Sequence, residues 1–217
     1  MEAFLARQPI FAKNMKIFGY ELLYRQSGTD NFFCGIDDDQ ATTELIYNTF
    51  LVMGLKDLTD GANAFINFSK ELIETDVPFM LPKKNIVVEI LERKEVTPAT
   101  INACKRIKTM GYSLALDDFV LSQNNLPLIE LADIIKIEFP AVSRFEQQSL
   151  IRRYGSKVKF LAEKIETREE YKQAAELGYS LFQGYFFSKP AIVKSKDMVT
   201  LNTNLFSILE ELNNPEP

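Results

Sequence analysis

Polar side chains end a series of strand-like apolar runs along this chain. The residues at these ends are Glu21, Asn67, Glu89, Asp117, Asp118, Lys136, Glu163 and Gln183. If the fold brings the run ends together, the carboxylates repel one another unless cations lie between them. Carboxylate and amide oxygens are the ligands that hard cations such as Mg²⁺ and Mn²⁺ prefer in proteins. The residue types therefore predict a site for divalent cations.

Divalent cations held by carboxylates suit phosphodiester hydrolysis. Two such cations about 3.5–4 Å apart polarise a phosphoryl oxygen and lower the pKa of a bound water. Lys136 could orient that water or neutralise developing charge, and a carboxylate without a cation could accept the proton. The chain has no histidine, which excludes His-ligated zinc and catalysis by Ser–His or Cys–His pairs. Acid–base chemistry must therefore depend on Asp, Glu, Lys or Tyr.

The elements that carry these residues alternate between strand-like and helical patterns. The strand-like segments are residues 4–11, 17–24, 64–68, 86–91, 112–117, 134–138, 158–163 and 179–183, and the helical ones are 38–53, 70–74, 97–110, 126–131, 141–154, 168–177 and 196–212. The first two strands are joined only by residues 12–16, a link too short for a parallel crossover. These two strands should be antiparallel, whereas the later alternation of strands and helices predicts a parallel sheet.

Eight short apolar strands favour a closed barrel over an open, doubly wound sheet. The open sheet would carry a glycine-rich phosphate-binding loop after an early strand, and the sequence has none. The polar strand ends are about 27 residues apart on average, close to the roughly 31 residues per unit of a typical (β/α)8 barrel. We therefore predict an α/β fold, a TIM-like (β/α)8 barrel with an antiparallel first strand, over residues 1–212. The polar strand ends should meet at its C-terminal mouth, where barrel active sites lie.

The bulk properties exclude several classes of partner. The net charge is −5 and no basic block is present, so the positive surface that polynucleotides require is missing. No apolar run approaches the roughly 20 residues needed to span a membrane, and no signal layout opens the chain, which predicts a cytoplasmic protein. Cys34 and Cys104 have no paired spacing, as expected in a reducing compartment. The polar, proline-containing residues 213–217 predict the start of a linker to a following domain.

Five strings, in this order along the chain, carry a resemblance to a known family. They are Y-E-L-L-Y-R at 20–25, V-V-E-I-L-E at 87–92, L-A-L-D-D-F at 114–119, L-A-E-K-I-E-T at 161–167 and F-Q-G-Y-F-F-S-K-P at 182–190. The set resembles the EAL domain, the bacterial cyclic-di-GMP phosphodiesterase module, whose signature is E-A-L-x-R. Leu22 stands here in place of the family's Ala. The resemblance spans roughly residues 1–212 and implies metal-dependent hydrolysis of cyclic-di-GMP to linear pGpG.

The resemblance implies a role for each matched residue. The implied metal ligands are Glu21, Asn67, Glu89, Asp117 and Asp118, for Mg²⁺ or Mn²⁺ in a site that can hold two ions. The implied catalytic residues are Lys136 and Glu163, the latter as general base. Arg25 would contact a substrate phosphate, Gln183 would lie near the substrate, and Glu92 would anchor a mobile loop. The resemblance also implies a homodimer.

The chain departs from the family pattern at several places around the implied site. Residues 120–127 lack the glycine that usually follows D-D-F, in a loop that shapes the second metal site and supports dimerisation. Glu138 stands where the family has Asp, and Lys164 where it has Gly or Asn. The acidic residues 37–39 follow the signature in place of an aromatic substrate wall. These features are similar to the YuxH-like subgroup, in which an EAL-like domain precedes an HDOD domain and is often regarded as degenerate in catalysis.

Three functional interpretations follow. The first is an enzyme that hydrolyses cyclic-di-GMP, supported by the matched metal ligands, the lysine and the general base. The second is a sensor that binds cyclic-di-GMP without cleaving it, and the third is a scaffold that acts through protein contacts. An ion-pair network of Lys136, Arg25 and Lys164 with the carboxylates would offset the repulsion without any metal.

Overall fold

The structure is a computed structural model that describes residues 4–25, 42, 46, 54–91, 96–122 and 125–194. Its strands are β1 (Phe4–Ala12), β2 (Ile17–Arg25), β3 (Asn63–Phe68), β4 (Ile86–Leu91), β5 (Ser113–Asp117), β6 (Ile134–Glu138), β7 (Lys159–Glu163), β8 (Leu181–Phe182) and β9 (Ala191–Lys194). Its helices are α1 (Leu55–Thr59), α2 (Lys70–Ile73), α3 (Pro98–Thr109), α4 (Leu126–Ile129), α5 (Arg144–Tyr154) and α6 (Arg168–Leu177), with a 3-10 turn at Val77–Met80.

Eight of these strands form a closed barrel. The order is β2-β3-β4-β5-β6-β7-β8-β1, and pairing between β1 and β2 closes the ring. Strands β2 to β8 are parallel to one another, whereas β1 is antiparallel to both β2 and β8. The prediction of a TIM-like barrel with an antiparallel first strand is confirmed.

Strand β1 divides one of its edges between two partners. Phe11 and Ala12 pair with β8, while residues 4–7 pair with β9 in antiparallel register. Strand β9 lies beside β1 outside the closed ring and was not expected from the sequence. It has only four residues and follows Pro190 directly, so it offers almost no periodic pattern from which a strand could be predicted. The expected strand at 179–183 is reduced to the two residues of β8.

The barrel encloses a layer of apolar side chains, which we call the apolar layer. It consists of Ile10, Phe65, Val87, Ala115, Ile134, Leu161 and Leu181. A larger apolar cluster lies between the strands and the helices and includes Ile66, Val88, Leu116 and Ile135, which are all fully buried. Successive side chains of a strand point to opposite faces, so neighbouring apolar residues fill both sides of the barrel wall. This explains why the strands are apolar almost throughout.

The helices begin and end at recognisable signals. Helix α6 starts after the capping box predicted from Thr167 and Glu170: the Glu170 amide donates to Thr167 Oγ1 at 3.1 Å, and the Thr167 amide donates to Glu170 Oε2 at 3.0 Å. Helix α5 starts at Arg144 rather than at 141 because Ser143 and Glu146 form a second capping box. The predicted helix at 196–212 and the linker at 213–217 lie outside the described residues. Of the predicted helix at 38–53 only two residues are described, and both are helical.

No helix in the described part of the chain combines the length and the apolar character that a membrane crossing requires.

Candidate active site

A layer of polar side chains lies directly above the apolar layer, at the C-terminal mouth of the barrel. In β3 to β8 the polar residue follows an inward-facing apolar residue by two positions, so both point into the barrel. Thus Asn67 follows Phe65, and Lys136 follows Ile134. The same step of two separates Val87, Ala115, Leu161 and Leu181 from Glu89, Asp117, Glu163 and Gln183. Sequence spacing and strand alternation together therefore place the expected site residues in one layer.

Lys136 lies at the centre of this polar layer and contacts four carboxylates. Its Nζ lies 2.9 Å from Glu89 Oε1, 2.9 Å from Asp117 Oδ1, 3.0 Å from Glu163 Oε1 and 3.7 Å from Glu21 Oε1. The lysine side chain is 1% exposed and that of Glu89 is fully buried. An ammonium group at this depth offsets the repulsion that the carboxylates would otherwise exert on one another.

Burial and neighbouring charges have opposing effects on the pKa of each titrating residue in this layer. Burial raises the pKa of Glu89 well above its usual range, although the charge of Lys136 opposes the shift. Burial also raises the pKa of Glu163 to about 8, again against the effect of Lys136. Burial alone would lower the pKa of Lys136, but the surrounding carboxylates outweigh it, so that this pKa lies well above its ordinary value. Lys136 is therefore charged at neutral pH.

Carboxamides complete the polar layer. Gln183 Nε2 donates to Glu21 Oε2 at 2.6 Å, and Asn67 Nδ2 donates to Glu21 Oε1 at 3.2 Å. These contacts turn the amide oxygens away from Glu21. Within the described part of the chain, Asn67 Oδ1, Gln183 Oε1 and Glu89 Oε2 are buried acceptors with no hydrogen-bond donor. Buried oxygen atoms without a donor are costly unless a cation or another ligand contacts them.

A second group of carboxylates lies farther out in the mouth. Asp117, Asp118 and Glu163 each offer an oxygen atom, and these atoms lie within 4.8 Å of one another. Asp118 adopts a left-handed backbone conformation with φ of 49°, which ends β5 and lets consecutive aspartates share one site. Its amide donates to Asp117 Oδ1 at 3.0 Å.

Lys164 and Glu138 form an ion pair at the edge of the mouth. Lys164 Nζ lies 2.6 Å from Glu138 Oε2, and the two side chains are 56% and 28% exposed. The hydrogen bond to Glu138 raises the pKa of Lys164. Lys164 also has a left-handed backbone, with φ of 55°. The sequence marked both positions as departures from the family but did not predict their contact.

The mouth opens into a cavity of about 380 Å³. Glu21, Asp117, Asp118, Glu163, Lys164 and Gln183 line it, together with exposed Tyr185. Of the residues that sequence reasoning assigned to the site, Glu21, Asp117, Asp118, Glu163 and Gln183 thus line one cavity large enough for a small-molecule ligand.

Five of the ten expected site residues are not among those that line the cavity: Asn67, Glu89 and Lys136 belong to the polar layer without lining it, and two others cannot be placed. Glu92 lies outside the described residues. Arg25 ends β2, and its side chain lies outside the described part. Gln8 lines the cavity but was not predicted; it accepts a hydrogen bond from Gln183 Nε2 at 3.3 Å. The same two-residue spacing could have identified Gln8 in the sequence, because Gln8 lies two positions before the inward-facing Ile10 on the antiparallel first strand.

Two curated proteins are similar to this chain over nearly its whole length. The protein YuxH of Bacillus subtilis (strain 168) is 44% identical over 223 residues, covering 100% of this chain and 54% of YuxH. The cyclic di-GMP phosphodiesterase CdgJ of Vibrio cholerae is 36% identical over 216 residues, covering 98% of this chain and 50% of CdgJ. The chain spans about half the length of the curated relatives it matches.

Solved structures share the fold. BlrP1 of Klebsiella pneumoniae, in a complex with manganese and cyclic-di-GMP, superposes with a TM-score of 0.68 at 22% identity, over 89% of this chain and 57% of that one. YkuI of Bacillus subtilis, in complex with cyclic-di-GMP and calcium, superposes with a TM-score of 0.65 at 20% identity, over 95% and 59%. At this level of identity the likeness shows the fold alone. The family model of the EAL domain matches residues 2–190, and with the relatives it shows that this chain belongs to the EAL domain family.

Proposed function

We propose that this chain is a cyclic-di-GMP phosphodiesterase domain that hydrolyses its substrate to linear pGpG with Mg²⁺ or Mn²⁺. The observation that carries the proposal is the polar layer, in which Glu21, Asn67, Glu89, Asp117 and Glu163 face one another around a single lysine. The phosphodiesterase CdgJ, 36% identical over nearly the whole chain, supports the same activity.

The donor set fits a hard divalent cation. Among the described residues, the buried oxygens Asn67 Oδ1 and Glu89 Oε2 have no hydrogen-bond donor, in a layer that already collects negative charge. Oxygen ligands of this kind select Mg²⁺ or Mn²⁺ rather than softer metals. We propose Glu21, Asn67, Glu89 and Asp117 as the ligands, with Asp118 at the outer side. A bound cation would supply Lewis-acid polarisation of the phosphate and a more acidic water.

The protein's own groups would handle the proton and the charge. Glu163 is the proposed general base, since a carboxylate whose pKa is raised to about 8 can accept a proton near neutral pH. Lys136, 3.0 Å from Glu163 Oε1, fixes that carboxylate and stabilises negative charge as it develops. Gln183 and Arg25 are the proposed contacts to the substrate; Arg25 is the last residue of β2.

The test is chromatography of cyclic-di-GMP after incubation with the purified chain and Mn²⁺. We expect pGpG from the wild type, and a rate lower by about 10²–10⁴-fold for Glu163→Gln, the usual contribution of a general base. Glu130→Gln is a matched control, because that glutamate is exposed and pairs with Lys157 away from the mouth. Absence of pGpG from folded wild-type protein would contradict the proposal.

A second candidate function is binding of cyclic-di-GMP without cleavage. The observation that favours it is the ion pair of Glu138 and Lys164, which places a lysine ammonium at the edge of the mouth. Calorimetric titration with cyclic-di-GMP in Ca²⁺, alongside the chromatographic assay in Mn²⁺, separates the two functions. Binding with no pGpG in Mn²⁺ would identify a sensor.

A further inference from the structure

The position of the Lys164 ammonium is unusual for a residue that follows a barrel strand. Glu163 points into the mouth, so a regular continuation of β7 would direct the next side chain outward. Lys164 instead takes a left-handed conformation that L-residues rarely adopt. Its ammonium then lies against Glu138, which occupies an inward position two residues after Lys136 on the neighbouring strand. The left-handed backbone of Lys164 therefore accompanies a position of its ammonium at the mouth.

The surrounding loop holds this conformation in place. The amide of Ile165 donates to the carbonyl of Gln183 at 3.1 Å, and the amide of Phe186 donates to the carbonyl of Ile165 at 3.0 Å. Ile165 is itself fully buried. The backbone of Lys164 is thus fixed between the inward-facing Glu163 and a buried anchor, and its ammonium, on a side chain that is 56% exposed, contacts Glu138 at the mouth.

The charges around Lys164 divide the mouth into two sets of oxygens. The inner set is Glu21, Asn67, Glu89 and Asp117; its three carboxylates lie 2.9 to 3.7 Å from Lys136 Nζ, and Asn67 donates to Glu21. The outer set, Asp118 and Glu138, interacts electrostatically with Lys164; Glu163 borders both sets, because it lies 3.0 Å from Lys136 Nζ and also interacts with Lys164. An ammonium group carries its charge at neutral pH and attracts the same carboxylates that a metal ion would.

We propose that the Lys164 ammonium is a built-in counter-ion for the outer carboxylates Asp118 and Glu138 and thereby limits the mouth to one divalent cation. This inference rests on the proposed divalent-cation site. The inner set, in which Asn67 Oδ1 and Glu89 Oε2 have no hydrogen-bond donor among the described residues, takes that cation. A second cation at the outer set would have to displace Lys164 from a contact of 2.6 Å and would meet its positive charge. In this chain Lys164 neutralises part of the negative charge that a second cation would neutralise.

The test counts and locates bound Mn²⁺ in the wild type and in three variants. Native mass spectrometry and calorimetric titration give the number of ions and their affinities. Electron paramagnetic resonance shows whether two ions are neighbours, because Mn²⁺ ions about 3.5–4 Å apart, as in two-metal sites, couple magnetically and lose the six-line spectrum of an isolated ion. We expect one uncoupled ion in the wild type. Lys164→Gln should bind a second ion at least tenfold more tightly than the wild type does, with a coupled spectrum.

Two further variants separate the counter-ion role from a general loss of charge or of structure. Lys164→Arg keeps a positive group and should behave as the wild type. Lys157→Gln removes an equally exposed lysine from a 3.0 Å ion pair with Glu130, at the N-terminal end of the same strand. It should leave the number of bound ions unchanged.

Equal numbers and affinities of Mn²⁺ in the wild type and Lys164→Gln would overturn the counter-ion role, as would a second ion in Lys164→Arg. A loss of cyclic-di-GMP affinity in Lys164→Gln with no change in bound Mn²⁺ would overturn it too, and would make Lys164 a ligand-contacting residue. The proposed phosphodiesterase activity fails separately, through absence of pGpG from the wild type, because the ion count does not depend on turnover.

Discussion

Lys136 is the residue on which the metal-free site depends. Its ammonium lies within 3.0 Å of Glu89, Asp117 and Glu163 and is 1% exposed. A buried ion pair contributes little net stability compared with apolar packing, but loss of one partner leaves the other charge buried and unpaired. Here one cation contacts several carboxylates, so its removal would take away the positive charge that they share unless a metal ion replaced it.

Substitution of this lysine tests that dependence. Lys136→Met keeps the side-chain length and removes the charge, so the metal-free protein should lose about 3–5 kcal/mol of unfolding free energy. Mn²⁺ should restore more stability to the variant than it adds to the wild type, because a cation then has no competing ammonium. Urea unfolding in EDTA and in Mn²⁺ measures both effects. Lys157→Met, which breaks an exposed pair, should cost at most about 1 kcal/mol; equal losses in the two variants would refute the dependence.

Glu89 separates cation binding from stability. Its side chain is fully buried, and Glu89 Oε2 lacks a hydrogen-bond donor among the described residues. Glu89→Gln keeps the shape and removes a charge that burial already disfavours. We expect a change in unfolding free energy within about 1 kcal/mol, and Mn²⁺ affinity lower by tenfold or more, about 1.4 kcal/mol. Calorimetric titration of Mn²⁺ checks this, and unchanged affinity would remove Glu89 from the ligand set.

At the scale of elements, the sequence predicted the strand ends because β3 to β8 each carry an apolar residue and then a polar one two positions later. Phe65 with Asn67 and Leu161 with Glu163 show that pattern within a few residues. The signals of α6 were equally local, since Thr167 and Glu170 lie three residues apart. Local signals of this kind depend only on the period of the element and can be read without the fold.

Gly184 fixes the backbone directly after Gln183, at the end of β8. Its φ is 154°, and a Cβ atom there would lie 2.1 Å from the carbonyl oxygen of Ile165 and 2.3 Å from its nitrogen. Gly184→Ala must therefore displace backbone rather than a flexible side chain. We expect a loss of about 3 kcal/mol or more, the sum of overpacking and backbone strain, together with weaker Mn²⁺ and cyclic-di-GMP binding.

Gly61→Ala is the matched control for Gly184→Ala. Gly61 also has a positive φ, 78°, but a Cβ atom there would meet nothing within 4 Å. Gly61→Ala should therefore lower the unfolding free energy only by the backbone strain, about 1–2 kcal/mol, and leave ligand binding intact. Urea unfolding and calorimetric titration compare the two variants, and equal effects on ligand binding would show that the contact with Ile165 does not position the site.

At the scale of the whole molecule, the contacts between distant segments are what the sequence could not supply. Glu138 and Lys164 were visible as unusual residues, but their ion pair depends on the register of β6 against β7 and on the left-handed turn at 164. The central place of Lys136 likewise depends on the closure of the barrel, which brings β2 close to β6. Strand β9 is stabilised by pairing with residues 4–7, nearly the full length of the described chain away. None of these contacts has a local pattern.

The pH dependence of stability is the whole-molecule consequence of this closed acidic mouth. Burial raises the pKa of Glu163 from its usual 4.5 to about 8 and that of Glu89 well above its usual value. The metal-free folded protein thus binds more protons than the unfolded chain between these values, and its stability is greatest at the acidic end and falls as the pH rises. Each such group contributes at most about 1.4 kcal/mol per pH unit. The chain has no histidine, so few other side chains titrate between pH 5.5 and 8.

We therefore expect the unfolding free energy of the wild type in EDTA to decrease from pH 5.5 to 8, as measured by urea unfolding. Glu163→Gln has no proton to release and should show a shallower decrease, whereas the exposed Glu130→Gln should follow the wild type. Saturating Mn²⁺ should flatten or reverse the decrease, because a divalent cation binds the ionised carboxylates and favours their charged form. Stability that stays level or rises with pH in EDTA would mean that Lys136 alone compensates the buried acids, and that the mouth gains nothing electrostatically from a metal ion.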